Sequence, residues 1–445
     1  MSADVSRWSR ALGLGLAFLL LAAGAVAGPK IESWQTPGGA RVLFVAAPEL
    51  PMVDVRVVFD AGSARDGERQ GLALLTNALL TEGAGPWTAD EIAERMDSIG
   101  ASLSTSSLRD MASVSLRTLT EPKALDVAAE TLAAVLAAPR FDPQDVERVR
   151  NAQLVSLREQ EQSAGTVASK AFYRALYGSH PYASDPGGTA ESVAGLGSDD
   201  FRRFHGRYYT ARNAVVAIVG ALDRAQAEAL AARLLAGLPA GEPAASVADP
   251  APPAPGENPL AFPSTQTHIY LGQLGIARHD PDFFPLLVGN HVLGSSGLVS
   301  LLGEEVRNKR GLSYSVYSGL VPMRRAGPFF AVAQTKNAQA DEAMAVMRKT
   351  IADFVKDGPD RKLLDDAKRN LTGGFPLRIA SNGKIVEQLA VIGFYGYPLD
   401  WLDTYVAKVD AVTAEQVRDA FRRRIDPASF TAVVVGGGQP KAPGG

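Results

Sequence analysis

Five histidines, His180, His205, His268, His279 and His291, are the chain's only imidazoles, and no two stand at metal-ligand spacing. A catalytic zinc takes three protein ligands, so these residues give no metal site by themselves. There is no cysteine, which excludes disulfides, thiol nucleophiles, thiolate metal sites and a lipid-modified cysteine anchor. A third candidate is the pair Arg307 and Tyr314 in "GEEVRNKRGLSYSV". On spacing alone such a pair is a common coincidence, because a helix-terminal arginine is usually solvated or set against the helix dipole. Lys309 and Arg310 beside it read as surface charges.

The elements that position this pair follow from local pattern. "GNHVLGSSGLVSLLGEEVRNKRGLSYSVYSGL" reads as a glycine-containing loop and a helix over 298–307. Arg307 closes that helix, Gly311 serves as its C-cap and Tyr314 falls in the next strand. The second half reads in order as a strand (268–274), helices (283–293 and 298–307), a hairpin (313–335) and further helices. In the first half "ARVLFVAAP" and "MVDVRVVFDAG" read as paired strands, the second alternating Val53, Val55 and Val57 with Asp54 and Arg56. "ADEIAERMDSIGA" is an amphipathic helix, "SLSTSSLRDMASVSLRTL" a hairpin, and two long helices follow. "SDDFRRFHGRYYTARNAVVAIVG" and "AEQVRDAFRRRIDPASFTAVVVG" align without a gap near the ends of the two halves. A shared helix–loop–strand unit favours duplication. The Pro/Ala/Gly-rich stretch 237–260 reads as a linker. The expected organisation is α+β, with two homologous domains over 28–236 and 261–438, each a mostly antiparallel sheet packed with helices.

Composition bounds the partners. The chain has 445 residues and a formal net charge of −3, which argues against a nucleic-acid partner or a polybasic membrane tether. The N-terminus reads as an export signal. Arg7 and Arg10 precede an apolar core of about 13 residues, short of the roughly 20 needed to span a bilayer. Ala25-Val26-Ala27 then offers a small-residue cleavage site. The alternative is a membrane anchor. With Sec-type cleavage the chain starts near Gly28, works outside the cytoplasm and has no other apolar segment long enough to cross a membrane.

The motifs resemble the insulinase/pitrilysin-type zinc metallopeptidases, in their mitochondrial-processing-peptidase-like bacterial branch, over essentially the whole chain after residue 27. The resemblance implies two domains closing as a clamshell. In that family a first-domain helix carries G-L-A-H-x-x-E-H. Anchoring on Gly71-Leu72-Ala73 puts Leu74 and Ala78 where the two histidines stand and Asn77 where the general base stands. The family's third ligand, a later glutamate, falls at or near Ser156; Glu159, one turn on, reads as a solvated helix residue. The chain therefore has no zinc of its own on this reading.

The second-domain pattern E-x-R-x-x-x-G-L-x-Y-x-V is present, and it implies that Arg307 binds a substrate carbonyl while Tyr314 donates to a developing oxyanion. Gly294, Ser295, Ser296 and Gly297 resemble a shortened substrate-admitting glycine loop; a structural turn is the other reading. In the bacterial branch one chain often carries zinc and its partner the Arg/Tyr pair. The resemblance thus implies a non-catalytic, substrate-binding subunit of a periplasmic heterodimer, with a homologous zinc-bearing partner and peptide substrates. The alternative is a pseudopeptidase kept for binding or scaffolding.

Overall fold

The computed structural model describes residues 28–438; the stretch 1–27, read above as an export signal, and 439–445 lie outside them. The first sheet contains β1 (Glu32–Gln35), β2 (Arg41–Ala46), β3 (Met52–Phe59), β4 (Ser102–Ser107), β5 (Ala112–Leu119) and β6 (Ala214–Gly220). They lie in the order β1-β2-β6-β3-β5-β4. Every neighbour is antiparallel except β2 and β6.

The second sheet contains β7 (Gly256–Pro263), β8 (Gln266–Leu274), β9 (Ser313–Leu320), β10 (Pro328–Lys336) and β11 (Thr431–Gly438). Their order is β9-β10-β8-β11-β7, with only β7 and β11 parallel. With β1 set aside, both sheets run first, fifth, second, fourth, third in chain order. Each closes on the same unit: a helix (Ser198–Tyr208 or Ala414–Arg424), one 3₁₀ turn (Ala211–Asn213 or Pro427–Ser429) and an interior, parallel-paired strand. Shared topology of this kind supports the duplication. β7 begins inside the Pro-rich stretch read as linker. As an edge strand it tolerates Pro259 and Pro263, since half its backbone N–H groups have no ladder partner.

The two lobes exchange helices. Ala164–Tyr177, from the first lobe, packs on β8 and β11, while Asn382–Tyr395, from the second, packs on β2, β3 and β6. Close approach needs glycine at the contact: a side-chain carbon at Gly393 would lie 2.4 Å from Val215 Cγ1, and one at Gly272 would lie 2.8 Å from Phe172 Cζ. The exchanged helix also covers the polar face of β3, where Asp54 is only 5% exposed and pairs with Arg117 at 2.9 Å.

The lobes are also pinned through Asp110, at the β4–β5 turn. Its carboxylate accepts the Tyr182 hydroxyl, the Tyr395 hydroxyl at 2.8 Å and the Arg324 N–H at 2.8 Å. Arg324 lies in the β9–β10 loop, so the loop ending β9 is anchored in the first lobe.

Candidate functional site

The helix Leu72–Leu79 starts at Gly71, whose φ of 93° favours glycine. Asp66 caps it, accepting the Gly71 N–H at 2.9 Å and the Ala73 N–H at 2.7 Å. Burial pushes the Asp66 carboxyl up to about 7, while those two N–H groups pull the other way. The apolar residues Leu72, Ala73, Leu75 and Leu79 face the first core. Leu74 and Ala78, one turn apart, share a partly exposed face.

Asn77 is 1% exposed and fully engaged. Its Oδ1 accepts the Tyr209 hydroxyl at 3.0 Å and its Nδ2 donates to the Ser113 carbonyl at 3.3 Å. Ser156 sits on the helix Pro143–Glu161, where its hydroxyl accepts from Gln160 at 3.1 Å. These residues do not fit zinc. Leu74 and Ala78 have no donor atom, and the Asn77 amide is a strut between a strand and a buried phenol. Among the described residues no group of three His, Cys, Asp or Glu side chains could hold a metal. Glu159 is exposed. The histidines are spent separately: His180 Nδ1 accepts from the Tyr182 N–H at 3.1 Å, and His205 Nε2 meets the Leu136 carbonyl at 2.9 Å. Burial pushes the His205 imidazole down, while its hydrogen bond to the Leu136 carbonyl pulls the other way.

In the second lobe the helix Phe283–Asn290 runs into a π-helical turn, His291–Ser295, and a 3₁₀ turn, Gly297–Val299. The helix expected over 298–307 is shorter and irregular: it runs over residues 301–308, mostly as a π-helix over Gly303–Asn308, with Arg307 in its last turn. Ser300 caps its start, donating its hydroxyl to the Gly297 carbonyl at 2.6 Å and accepting the Gly303 N–H at 3.1 Å. Gly311 then reverses the chain at a φ of 61° and donates to the Arg307 carbonyl at 2.9 Å, the capping role expected of it.

Tyr314 is the extra residue of a β-bulge. Pairing steps from Ser313↔Thr335 to Ser315↔Gln334, leaving Tyr314 without a partner. The bulge breaks the alternation of β9, so Tyr314 and Ser315 both face outward while Ser313 and Val316 are buried. Tyr314 is 83% exposed, and Arg307 Cζ lies 4.6 Å from its ring centroid. Among the described residues the Arg307 guanidinium makes no ion pair. Lys309 and Arg310 both bind Glu305, at 2.7 and 2.6 Å, as surface charges do. The cation left over is therefore the one beside the phenol.

Of the glycine loop, Gly294 is buried against β9: a side-chain carbon there would lie 2.3 Å from Ser318 Oγ. Ser295 and Gly297 are exposed and Ser296 is half-buried. Beside them stand Leu298 and Val299, 57% and 77% exposed. Their apolar character reads as core in the sequence, and no local signal distinguishes them. β9 itself is an edge strand. The Leu74/Ala78 face stands in the first lobe and the Arg307/Tyr314 pair in the second.

Residues 41–189 match the insulinase family, peptidase family M16, and residues 196–371 match the peptidase M16 inactive domain. The chain is 27% identical over 409 residues to an uncharacterized zinc protease of Mycobacterium leprae, covering 90% of each. It is 26% identical over 424 residues to the non-peptidase homolog YmxG of Helicobacter pylori, covering 94% of this chain and 96% of that one. A crystal structure of a peptidase M16 inactive domain from Pseudomonas fluorescens superposes with a TM-score of 0.89 at 39% identity, over 93% of this chain and 100% of that one. A protease from Helicobacter pylori, at 19% identity and a TM-score of 0.82 over 92% and 99% of the two chains, shares the fold.

Proposed function

This chain belongs to peptidase family M16 as an inactive-type homologue, and from that premise we propose that it is the non-catalytic, substrate-binding subunit of a zinc-dependent endopeptidase. The partner is a homologous chain that carries the zinc. The pair works in the periplasm on peptides or unfolded protein segments, and this chain lends Arg307 and Tyr314 to the partner's site.

One observation carries the reading. The first-lobe helix has no donor atom at Leu74 or Ala78, where a metal would need one, yet the second lobe keeps a guanidinium without an ion pair stacked on an exposed phenol. A phenol whose only role was packing would be covered, and a guanidinium whose only role was structural would be paired. Placed against a partner's metal site, the Tyr314 hydroxyl is a donor to an oxyanion, worth about 10²–10³ in rate. Arg307 offers two parallel donors to a backbone carbonyl. The unpaired outer side of β9 can accept an extended peptide as an added strand, which favours unfolded segments over folded proteins.

The experiment is reconstitution. Neither this chain nor a zinc-bearing homologue from the same source should cleave an unstructured peptide well alone, and the mixture should. If the mixture is no faster than the zinc-bearing chain by itself, the complementing role is wrong. A second reading, a pseudopeptidase that only binds or scaffolds, draws support from Asn77. That residue is wired into the core and not merely left over. It requires association without any gain in rate.

A further inference from the structure

The first described residue is seated against the body of the protein. Gly28 is half-buried, and Ile31, three residues on, packs on the second-lobe core. Gly28 lies over the helix Trp401–Asp410 at its first turn: a side-chain carbon there would lie 2.3 Å from Asp403 Oδ1 and 3.4 Å from the Asp403 nitrogen. A side chain there would make the Asp403 carboxylate swing aside. Two atoms bonded to one carbon are about 2.5 Å apart, so the Gly28 nitrogen is within about 5 Å of that carboxylate oxygen. Asp403 has no ion-pair partner among the described residues and faces solvent.

The residues before this seat are Ala25-Val26-Ala27, the small-residue pattern of a signal-peptidase site. We infer that the chain is cut between Ala27 and Gly28 and that the α-ammonium so created pairs with Asp403, tying the new N-terminus to the second lobe. Hydrolysis of that peptide bond consumes one water and leaves a carboxylate on Ala27 and an amine on Gly28. An α-amine has an ordinary pKa of about 8, so it is largely charged near neutral pH. Before cleavage the same nitrogen is a neutral amide and offers Asp403 no charge. The inference rests on the export reading given above.

The test uses the full-length chain produced in a Gram-negative host, with the periplasmic fraction analysed by intact mass. The native protein is then labelled with a limiting amine acetylating reagent at neutral pH. A chain that begins at Gly28 is expected. Its α-amine should react about two- to fivefold more slowly than that of Asp403→Asn, the range for an exposed ion pair. Asp400→Asn, a neighbouring charge change, should react like the unaltered protein. Retention of an uncut chain in the cytoplasm would overturn the export reading and this inference with it. An exported chain that begins elsewhere would overturn the inference alone. A Gly28 start with equal labelling in Asp403→Asn would remove the seat and leave the cleavage.

Discussion

Arg307 Cζ lies 4.6 Å from the centre of the Tyr314 ring, with the guanidinium free of any carboxylate among the described residues. The contact holds both side chains at the start of an edge strand, where a bulge has turned the phenol outward. Stacking on an aromatic face orients an arginine without using its N–H donors. Those donors remain available to a second molecule.

Tyr314→Phe should leave thermal stability unchanged, because the hydroxyl is solvated and the ring remains. In a reconstituted pair it should lower kcat/KM by about 10²–10³ through loss of one oxyanion donor. Arg307→Lys keeps the charge but loses the planar fork, so the loss should be about tenfold or more and fall mainly on KM. Steady-state kinetics of the mixture decide both. An unchanged rate for Tyr314→Phe would reduce that residue to surface packing.

Re-arming the first lobe by sequence alone should fail. Leu74→His with Ala78→His puts two imidazoles on one partly exposed face and should give a weak two-ligand zinc site, measurable by calorimetry, without peptidase activity. Adding Asn77→Glu should destabilise the protein by about 2–4 kcal/mol, since a buried carboxylate cannot donate to the Ser113 carbonyl. Denaturant unfolding of the two variants tests this. A variant with Asn77→Glu as stable as the two-histidine variant would contradict the strut role given to Asn77.

Asp66 predicts an unusual pH dependence. Burial raises its carboxyl to about 7 in the folded protein, against roughly 4 in an unfolded chain. The folded state then binds the extra proton between those values, so this group's contribution falls as pH rises from about 4 to about 7. Asp66→Asn should therefore be relatively more stable at pH 7.5 than at pH 4.5. The differential between variant and unaltered protein should be at most about 4 kcal/mol. Melting both proteins across that window gives the sign directly.

Asp110 should be the costliest single loss at the lobe junction. Asp110→Ala strands the Tyr182 and Tyr395 hydroxyls and the Arg324 N–H in a site 5% exposed. At about 1–3 kcal/mol for each orphaned group, a loss of at least about 3 kcal/mol is expected. Protease cutting in the irregular stretch 239–255 should rise, and a resistant variant would show that the exchanged helices alone hold the lobes.

Gly393→Ala should disturb the same junction by overpacking. The new methyl meets Val215 Cγ1 at 2.4 Å and Leu43 Cδ1 at 2.7 Å, for a cost of about 1–3 kcal/mol. A shift in the unfolding midpoint without a change in slope would agree.

What the sequence determined by itself was local. Strand alternation, the paired helix–turn–strand units and Gly311 after Arg307 depend on neighbours within a few residues, and these were legible. So was the lack of metal ligands at Leu74 and Ala78, because a side chain without a donor atom cannot acquire one by folding, and of a general base at Asn77, whose amide cannot take up a proton as a carboxylate does. Only the tertiary structure decided what covers what. The alternation of β3 does not report that a helix from the other half of the chain lies on its polar face. Asn77 looked like a remnant until Tyr209 and Ser113 were seen to share its amide. The helix expected over 298–307 begins three residues later and is mostly π-helical, because apolar periodicity reports neither the Ser300 cap nor the wide hydrogen-bond ring. Tyr314 owes its exposure to a bulge, which arises from a register step between two strands, and register is a property of the pair. Periodicity records how much of each residue is to be buried, while the partner that does the burying is chosen by contacts across the chain.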